Sequence, residues 1–455
     1  MMAMQLSEAA RAVDGRCNGA DVAFRGVSTD TRQLTAGALF VALQGPNFDG
    51  HDFVEAARTG GAAAVAVSRR CASDLPQLEV ADTRIALGRL SGYWRSKFSL
   101  PVVAITGSNG KTTVRAMTEA ILSGCGRALS THGNLNNDIG LPLTLARLGA
   151  EDEFAILEMG ANRPGEIDYL AAIAQPSIAV VTNAGPAHLE GFGDLEGVAR
   201  AKGELFARLG PDGVAVINAD DPFASMWQEL AGHCQVVRFG LDAAAEVSAD
   251  WDGDAQCSEL RLHTPQGSIT VRLPLPGRHN VMNALAATAA ALAAGAGLDA
   301  VRTGLETLSP VAGRFNIKQL PGDITIIDDT YNANPESLQV ALDVLAMAAG
   351  DSWLVLGDMG ELGADAAALH AEAGRRARAA GVTRLYSVGE LAREAVTAFN
   401  GPGEAFDSVE DLLAALCGEL FGPLHILVKG SRRMRMERVV AALLQAGQIP
   451  AGEGC

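Results

Sequence analysis

The chain has 455 residues, which at roughly 150 residues per domain predicts about three domains. A hydrophobic content of 48% with 20% charged residues excludes a mainly disordered protein. The net charge of −17 argues against a general nucleic-acid binder. If this protein handles phosphate groups, it must use local cations, backbone amides or metal ions.

The spacing of the cysteines and the lengths of the apolar segments indicate that the protein is cytoplasmic. The seven cysteines are scattered without a Cys-x-x-Cys pair, which argues against a disulfide framework or a cysteine zinc site and fits a reducing cytosol. Residues 1–15 carry acidic side chains and no apolar core, so they do not resemble a signal peptide. The Ala-rich stretch 283–297 is too short for a membrane span and predicts a buried helix. We therefore expect a cytoplasmic protein without membrane insertion.

Apolar runs divide the chain into three predicted α/β domains. Residues 1–98 mix short apolar runs with turn signals, and we expect a mixed α/β domain there. Residues 99–310 and 311–455 each alternate apolar runs with helical patterns, which is typical of a parallel sheet; the second of these units is the smaller. The apolar runs lie at 101–105, 153–157, 178–182, 213–217, 324–327, 353–356, 384–388 and 425–428. Because ligands of such sheets bind beyond the carboxyl ends of the strands, chemistry is expected directly after each run.

The first run of the central domain leads into a glycine-rich loop and then a helical pattern from Val114 to about Leu122. In such a loop, glycines let backbone amides face a phosphate, the helix dipole attracts the anion, and a lysine adds positive charge. The loop is a shortened Walker-type sequence, and the alternative is an ordinary strand-to-helix turn. The flanking strand and helix favour nucleotide binding. The predicted contacts come from Gly107, Ser108, Asn109, Gly110, Lys111, Thr112 and Thr113.

The next two strands end in residues that could hold a metal ion. Glu158 follows the run at 153–157, and a carboxylate beside a phosphate loop is where a nucleotide-binding sheet holds Mg²⁺. His188 follows the run at 178–182 in a Gly/Pro-containing loop. A capping glutamate and a structural histidine are the alternatives, and the sequence alone leaves both open.

A lysine lies on the apolar side of a predicted helix over Leu195–Leu209. Leu195, Val198, Leu205 and Phe206 share one stripe of this amphipathic pattern, and Lys202 falls in the middle of it. In one interpretation the amine reaches water from the edge of the stripe. In the other the amine is desolvated, which favours the neutral form that can react with CO₂ to give a carbamate. The helix pattern alone favours the first interpretation.

Taken in order along nearly the whole chain, these motifs resemble the Mur ligase family, the ATP-dependent amide ligases that build bacterial cell-wall precursors. Further matching segments are 28–32, 48–52, 131–140, 277–283, 313–315, 328–335, 357–363 and 428–432. The resemblance implies a UDP-sugar domain, an ATP-binding domain and a C-terminal ligase domain. No departure is found at a position that the family needs.

The resemblance also assigns roles to residues. It implies two Mg²⁺ ions held by Thr112, Glu158, His188 and a carbamylated Lys202. It implies that Asn283 faces adenine, that Arg314 reaches the phosphates, and that Asp329 lies on the nucleotide side of the third domain. It places the UDP-sugar substrate near Ser28, Arg32, Asn134 and Asn137, and it gives catalytic roles to Lys111, His188, Lys202 and Arg314.

Within the family, the segments most resemble those of the member that adds D-alanyl-D-alanine to UDP-N-acetylmuramoyl-tripeptide. The resemblance implies that ATP activates the tripeptide carboxylate as an acyl phosphate, which the dipeptide amine then attacks. Closure of the third domain onto ATP is expected to complete the site. We expect a monomer that binds neither nucleic acid nor membrane.

Two rival functions are weighed against this one. Another amide ligase of the superfamily, adding a single amino acid or glutamate to folate, would share the loop but not the later motifs. A regulatory P-loop NTPase would need neither Lys202 on an apolar face nor Arg314 in a third domain. The third residue of the tripeptide, the general base, the resting domain arrangement and the roles of all the C-terminal arginines are left open.

Overall fold

A computed structural model describes residues 1–186, 189–309, 311–417 and 419–446 of the chain, and the side chains of 189 and 417 are also left out. It contains three α/β units, which confirms the predicted fold class. Among the described residues, no helix combines the length and apolar character needed to cross a bilayer. The domain boundaries at 98/99 and 310/311 stay predictions; α3 ends at Arg95, before the first strand of the central sheet, and the first strand of the C-terminal sheet begins at Asn316.

The N-terminal unit is built on a five-stranded mixed sheet in the order β2-β9-β8-β5-β4, flanked by two short antiparallel pairs. Its core packs α1 and α3 against the sheet. Its strands are β1 Ala3–Gln5, β2 Arg16–Asn18, β3 Ala23–Arg25, β4 Val27–Ser28, β5 Leu39–Val41, β6 Gln44–Gly45, β7 Phe48–Asp49, β8 Ala64–Val67 and β9 Gln77–Glu79. Its helices are α1 Leu6–Val13, α2 Val54–Thr59 and α3 Thr83–Arg95.

The central unit contains a six-stranded parallel sheet in the order β11-β12-β10-β13-β14-β15. The sheet strands are β10 Val102–Thr106, β11 Ala128–Ser130, β12 Phe154–Glu158, β13 Ile178–Val181, β14 Val214–Asn218 and β15 Gln235–Phe239. The helices are α4 Lys111–Ser123, α5 Gly140–Leu145, α6 Glu166–Ala174, α7 Leu189–Phe192, α8 Leu195–Ala207, α9 Ala224–Leu230, α10 Arg278–Ala293 and α11 Leu298–Glu306. The four apolar runs predicted as strands correspond to β10, β12, β13 and β14.

Both faces of this sheet are covered, as a parallel sheet requires. Strand β10 sends Val103 and Ile105 into a core shared with α4 and α10. It sends Val102 and Ala104 into a second core, shared with α6 and α8. The strand is therefore a continuous apolar run up to Ile105, and Thr106, which ends it, is also buried and donates its hydroxyl to the carbonyl of Met159 at 2.8 Å.

The sequence analysis did not predict a three-stranded antiparallel sheet that also belongs to the central unit. It consists of β16 Ser248–Gly253, β17 Ser258–Thr264 and β18 Gly267–Leu273. In β18, Ile269, Val271 and Leu273 are buried and alternate with exposed residues. This period of two is a signal that could have revealed the sheet.

The C-terminal unit has a six-stranded sheet in the order β19-β20-β24-β21-β22-β23, parallel except for the edge strand β19. Its strands are β19 Asn316–Leu320, β20 Ile324–Asp329, β21 Asp351–Gly357, β22 Arg384–Val388, β23 Gly403–Phe406 and β24 Leu424–Lys429. Its helices are α12 Pro335–Leu345, α13 Ala366–Ala379, α14 Arg393–Phe399, α15 Val409–Cys417 and α16 Glu437–Ala446. The four predicted runs correspond to β20, β21, β22 and β24.

Candidate active site

A cleft of about 1580 Å³ opens between the central and C-terminal units, beyond the carboxyl ends of β10, β12 and β13. Most of its lining comes from these two units, and Arg84 of α3 contributes from the N-terminal unit. Arg84 forms a two-pronged ion pair with Asp138, which also lines the cleft. The position agrees with the rule that ligands of open parallel sheets bind beyond the strand ends.

The loop after β10 turns so tightly that two of its residues must be glycine. Gly107 has a φ of +145°, and a Cβ atom there would lie 1.9 Å from Thr182 Oγ1. Gly110 has a φ of +82°, and a Cβ atom there would lie 2.4 Å from Asn283 Oδ1. Asn283, predicted to face adenine, therefore lies directly against the loop and lines the cleft.

Lys111 is the first residue of α4, and its amine lies under the loop. Nζ donates to the carbonyl oxygens of Gly107, at 2.5 Å, and Ser108, at 3.0 Å. The surrounding protein lowers the pKa of Lys111 to about 8, because burial penalises the charged form and Arg314 adds a second positive charge nearby. A phosphate bound in this loop would face both cations.

Arg314 connects the C-terminal unit to the same loop. Its Nη2 donates to Thr112 Oγ1 at 3.3 Å, and its guanidinium stacks on the ring of Tyr331, with Cζ 3.9 Å from the ring centroid. Its Nε is buried without a hydrogen-bond partner. An arginine held in this way, with an unused donor, has the geometry to bind an anion placed in the cleft.

Glu158 ends β12 at the wall of the cleft and is only 3% exposed. Its Oε1 accepts a hydrogen bond from Asn136 Nδ2 at 2.8 Å, whereas Oε2 is buried with no partner. An unpaired buried carboxylate oxygen is costly, and a hard cation such as Mg²⁺ would satisfy it. The unpaired oxygen of Glu158 therefore fits a Mg²⁺ ion at this place.

The rest of the predicted metal site is only partly described. His188 lies outside the described residues. Among the residues that are described, no group of three or more His, Cys, Asp or Glu side chains could hold a metal ion. A site built on Glu158 would thus draw on hydroxyl, phosphate and water oxygens, which is how Mg²⁺ is commonly bound beside a nucleotide.

Lys202 is buried in α8 with only 2% of the residue exposed, so the amine is not at a solvated edge. Nζ donates to the carbonyl of Ala161 at 3.4 Å and lies 5.2 Å from the centroid of the Phe192 ring. Burial, with a smaller contribution from Lys111, lowers the pKa of Lys202 to about 7. Ala161 lines the cleft, and Lys202 stands behind it.

Asp329 lies at the end of β20, on the cleft wall that belongs to the C-terminal unit. It forms an ion pair with the buried Lys429 and accepts a hydrogen bond from the backbone of Phe315 at 3.3 Å. His279 of α10, in the central unit, also lines the cleft, and burial lowers its pKa to about 4. The chain has only five lysines, of which Lys111 and Lys429 line this cleft and Lys202 lies behind Ala161 in its wall.

The four residues predicted to bind the UDP-sugar substrate are not gathered in one place. Asn134 and Asn137 line the large cleft, but the Asn137 Oδ1 atom already accepts hydrogen bonds from the backbone N–H groups of Ile139, at 3.2 Å, and Gly140, at 2.9 Å. Ser28 lines a separate pocket of about 220 Å³ between the N-terminal and central units. Arg32 is exposed and bidentately paired with Asp30, with contacts of 2.7 and 2.9 Å.

The sequence analysis missed two polar residues at the cleft. Asn136, which holds Glu158, lies between the two asparagines that were selected, and its place in the Asn-rich segment was the available signal. Glu336 reaches the phosphate loop from the C-terminal unit, where Nδ2 of Asn109 donates to its Oε2 at 3.2 Å. Its position after the Asn-Pro start of α12 gave no reason to place it there.

Comparisons with known proteins agree with this architecture. Three family models match the chain: the Mur ligase family catalytic domain over 23–91, the Mur ligase middle domain over 105–291, and the Mur ligase glutamate ligase domain over 313–432. The chain belongs to the Mur ligase family. This confirms the resemblance inferred from the ordered motifs.

Two relatives in the family match over nearly all of their length. The UDP-N-acetylmuramoyl-tripeptide--D-alanyl-D-alanine ligase of Escherichia coli K12 is 47% identical over 451 residues, covering 98% of this chain and 100% of the relative. The ligase of the same name from Bacillus subtilis 168 is 36% identical over 433 residues, covering 92% and 93%.

Solved structures give the same result. A crystal structure of MurF from Acinetobacter baumannii superposes with a TM-score of 0.92 at 38% identity, covering 98% of this chain and 99% of that one. MurF ligase from Thermotoga maritima in complex with ADP superposes with a TM-score of 0.83 at 29% identity, covering 93% and 98%.

Proposed function

We propose that this Mur ligase is an ATP-dependent amide ligase that joins D-alanyl-D-alanine to UDP-N-acetylmuramoyl-tripeptide, giving the pentapeptide used in peptidoglycan synthesis. The observation that carries the proposal is the full-length match to ligases of that name. The cleft supports it, because Arg314 of the C-terminal unit reaches Thr112 of the phosphate loop. A nucleotide bound on the loop would lie between the two units, next to space for the peptide substrates.

In the proposed reaction, a carboxylate oxygen of the tripeptide attacks the γ-phosphorus of ATP and ADP leaves. The dipeptide amine then attacks the acyl carbon, inorganic phosphate leaves, and the amine gives up a proton. Several anionic groups must meet, so positioning and charge neutralisation provide most of the catalysis. We assign the neutralisation to Lys111 and Arg314 and the placement of the nucleotide to Gly107–Thr113, Asn283 and Asp329.

Mg²⁺ would add neutralising charge at the phosphates, and Thr112 and Glu158 would hold it. We also propose a second Mg²⁺ ion with His188 as a ligand, as the resemblance to the family implies. We further propose that the Lys202 amine takes up CO₂, losing a proton, to form a carbamate that supports this second ion. The family resemblance suggested that step, and the surroundings of Lys202 support it, because a buried amine with a pKa of about 7 is partly neutral near physiological pH.

The substrates would extend along the cleft. We propose that the tripeptide lies near Asn134 and that Ser28 and Arg32 belong to the N-terminal UDP-sugar domain, with domain boundaries at 98/99 and 310/311. We place the reaction in the cytoplasm, which agrees with the free thiols of Cys17 and Cys125, and expect the enzyme to act as a monomer.

A coupled assay tests the proposed function. Purified enzyme with ATP, Mg²⁺, UDP-muramoyl-tripeptide and D-alanyl-D-alanine should give ADP, phosphate and pentapeptide in equal amounts, and omission of either peptide substrate should stop pentapeptide formation. Replacement of the dipeptide by single amino acids or glutamate tests the rival ligases. Rapid ATP hydrolysis without any acyl acceptor would instead favour a regulatory NTPase.

Lys202→Ala tests the carbamate separately. Loss of ligation that short carboxylic acids partly restore supports an anion at this position. Full activity of Lys202→Ala would rule the carbamate out.

A further inference from the structure

The side chain of Asn109, in the middle of the phosphate loop, is held from both sides by the C-terminal unit. Its Oδ1 accepts a hydrogen bond from Asn334 Nδ2 at 3.0 Å, and its Nδ2 donates to Glu336 Oε2 at 3.2 Å. We propose that Asn109 is a positioning residue whose clasp by Asn334 and Glu336 ties the shape of the phosphate loop to closure of the C-terminal unit.

The backbone of Asn109 is fixed by the central unit. Its N–H donates to Asn183 Oδ1 at 2.9 Å, and its carbonyl accepts from Thr182 Oγ1 at 2.6 Å and from Asn183 Nδ2 at 3.2 Å. These partners lie directly after β13, in the same sheet as the loop. Asn109 is thus joined to one unit through its backbone and to the other through its side chain.

A helix cap fixes the orientation of Asn334, one of the two residues that the C-terminal unit contributes to the clasp. Asn334 is the N-cap of α12, and its Oδ1 accepts from the backbone of Ser337 at 2.8 Å. This bond fixes the orientation of the Asn334 amide and turns its Nδ2 towards Asn109. The two ends of the Asn109 amide therefore have one consistent assignment, with oxygen facing a donor and nitrogen facing a carboxylate.

The central unit leaves room for Glu336. A Cβ atom on Gly185 would lie 1.9 Å from Glu336 Oε2, so a side chain there would push the carboxylate away. The Glu336 residue is half-buried beside the loop, and this burial, together with the nearby Asp221, raises the pKa of its carboxyl group. Because this acid is half-buried, its hydrogen bond to Asn109 contributes more stabilising free energy than the same bond would at the surface.

The clasp lies beside Lys111 and Arg314, the two cations at the phosphate loop. Arg314 belongs to the same unit as Asn334 and Glu336, and it contacts Thr112, three residues after Asn109. Closure that engages the clasp also brings Arg314 to the loop. This inference rests on the proposed function for its kinetic readout, but the clasp itself can be measured without turnover.

A compensating pair of substitutions tests the clasp. Asn109→Asp replaces a donor by a carboxylate oxygen facing Glu336, and we expect kcat/KM for ATP to fall about 10- to 100-fold, the range for disrupting a buried charged hydrogen bond. Glu336→Gln alone can still present an oxygen to Asn109 and should cost less than about 5-fold. In the double variant the Gln amide can donate to the new carboxylate, so most of the loss should be recovered.

Two controls separate the clasp from other effects. Glu394→Gln removes an exposed acid from the first turn of α14, in the same unit and at a comparable helix position, and should leave activity unchanged. Small-angle X-ray scattering of the nucleotide-free proteins reports domain closure directly. Asn109→Asp should be more open than the native protein, and the double variant should return to the native profile. Because no ATP is present in these samples, repulsion between its phosphates and the new carboxylate cannot cause the difference.

The outcomes are distinct. If the double variant loses activity as the product of the two single losses and all scattering profiles coincide, the clasp is refuted. Glu336→Ala lies outside the loop and should open the protein by itself, so misfolding of Asn109→Asp would not prevent a decision. Failure of the native enzyme to form pentapeptide would count against the proposed function, whereas the scattering results would still decide the clasp.

Discussion

The amine of Lys202 should titrate with a pKa of about 7, well below the value of 10.5 for a lysine in water. The cause is burial: the amine has one carbonyl contact, to Ala161, and the face of the Phe192 ring beside it. At about 1.4 kcal/mol per pKa unit, holding the charged form at this place costs about 5 kcal/mol relative to water. Replacement by methionine, which keeps much of the volume, should remove that cost.

The sign of the pH dependence follows from linkage. Lys202 binds its proton more weakly in the folded protein than in the unfolded chain, so folding releases a proton between about pH 7 and 10.5. Stability therefore rises with pH across this window, and the full cost applies below it. The stabilisation gained by Lys202→Met should be several kcal/mol near pH 6 and should shrink by roughly 2–3 kcal/mol near pH 9. Hydrogen exchange of the α8 amides would report it locally.

The small number of lysines makes the titration directly observable. Protein labelled with ¹³C at lysine Cε should give five side-chain signals, and Lys202→Met assigns one of them by its loss. The titration is followed in metal-free, CO₂-depleted buffer, and ¹³C-bicarbonate is then added to detect a carbamate carbonyl. A Lys202 midpoint close to 10.5, or equal stability gains near pH 6 and pH 9, would refute the desolvation argument.

Two further predictions concern the loop and the acid beside it. Gly107→Ala should weaken ADP binding about 10- to 100-fold by calorimetry, because the new Cβ atom would meet Thr182 Oγ1 and the residue has a positive φ. The control is Gly210→Ala, whose Cβ atom would enter open space, and it should bind ADP normally. Glu158→Gln keeps the oxygen that accepts from Asn136 but loses the charge, so thermal stability should change little. The Mg²⁺ concentration needed for half-maximal turnover should rise about tenfold or more. An unchanged Mg²⁺ requirement would show that Glu158 is not a metal ligand.

The elements that carry the site were predictable because local pattern and burial agree there. The apolar run before the loop became β10, and the helical pattern after it became α4. Lys202 was placed on an apolar stripe by the 3.6-residue period, and the structure buries it with its stripe neighbours Val198 and Phe206. Whether its amine reached water could not be predicted, since that depends on Phe192 and α7 covering it.

Contacts between the units could not be predicted from the sequence, because each depends on the relative orientation of separately folded domains. Nothing local indicates that Glu336 faces Asn109, or that Asn136 rather than Asn137 holds Glu158. Asn137 illustrates the difficulty, since the side chain of an asparagine beside a cleft can equally bind the backbone of its own loop. Such assignments need the orientation of the side chain as well as its position in the chain.

The concentration of lysines at the cleft also makes this enzyme open to covalent chemistry. Burial lowers the pKa of Lys111 to about 8, so its amine loses its proton more readily than the amine of an exposed lysine. The surface residue Lys97 is the opposite case, because its ion pair with Glu8 raises its pKa and keeps it protonated. An aldehyde carried on a nucleotide-shaped scaffold would therefore form an imine at the phosphate loop in preference to the protein surface.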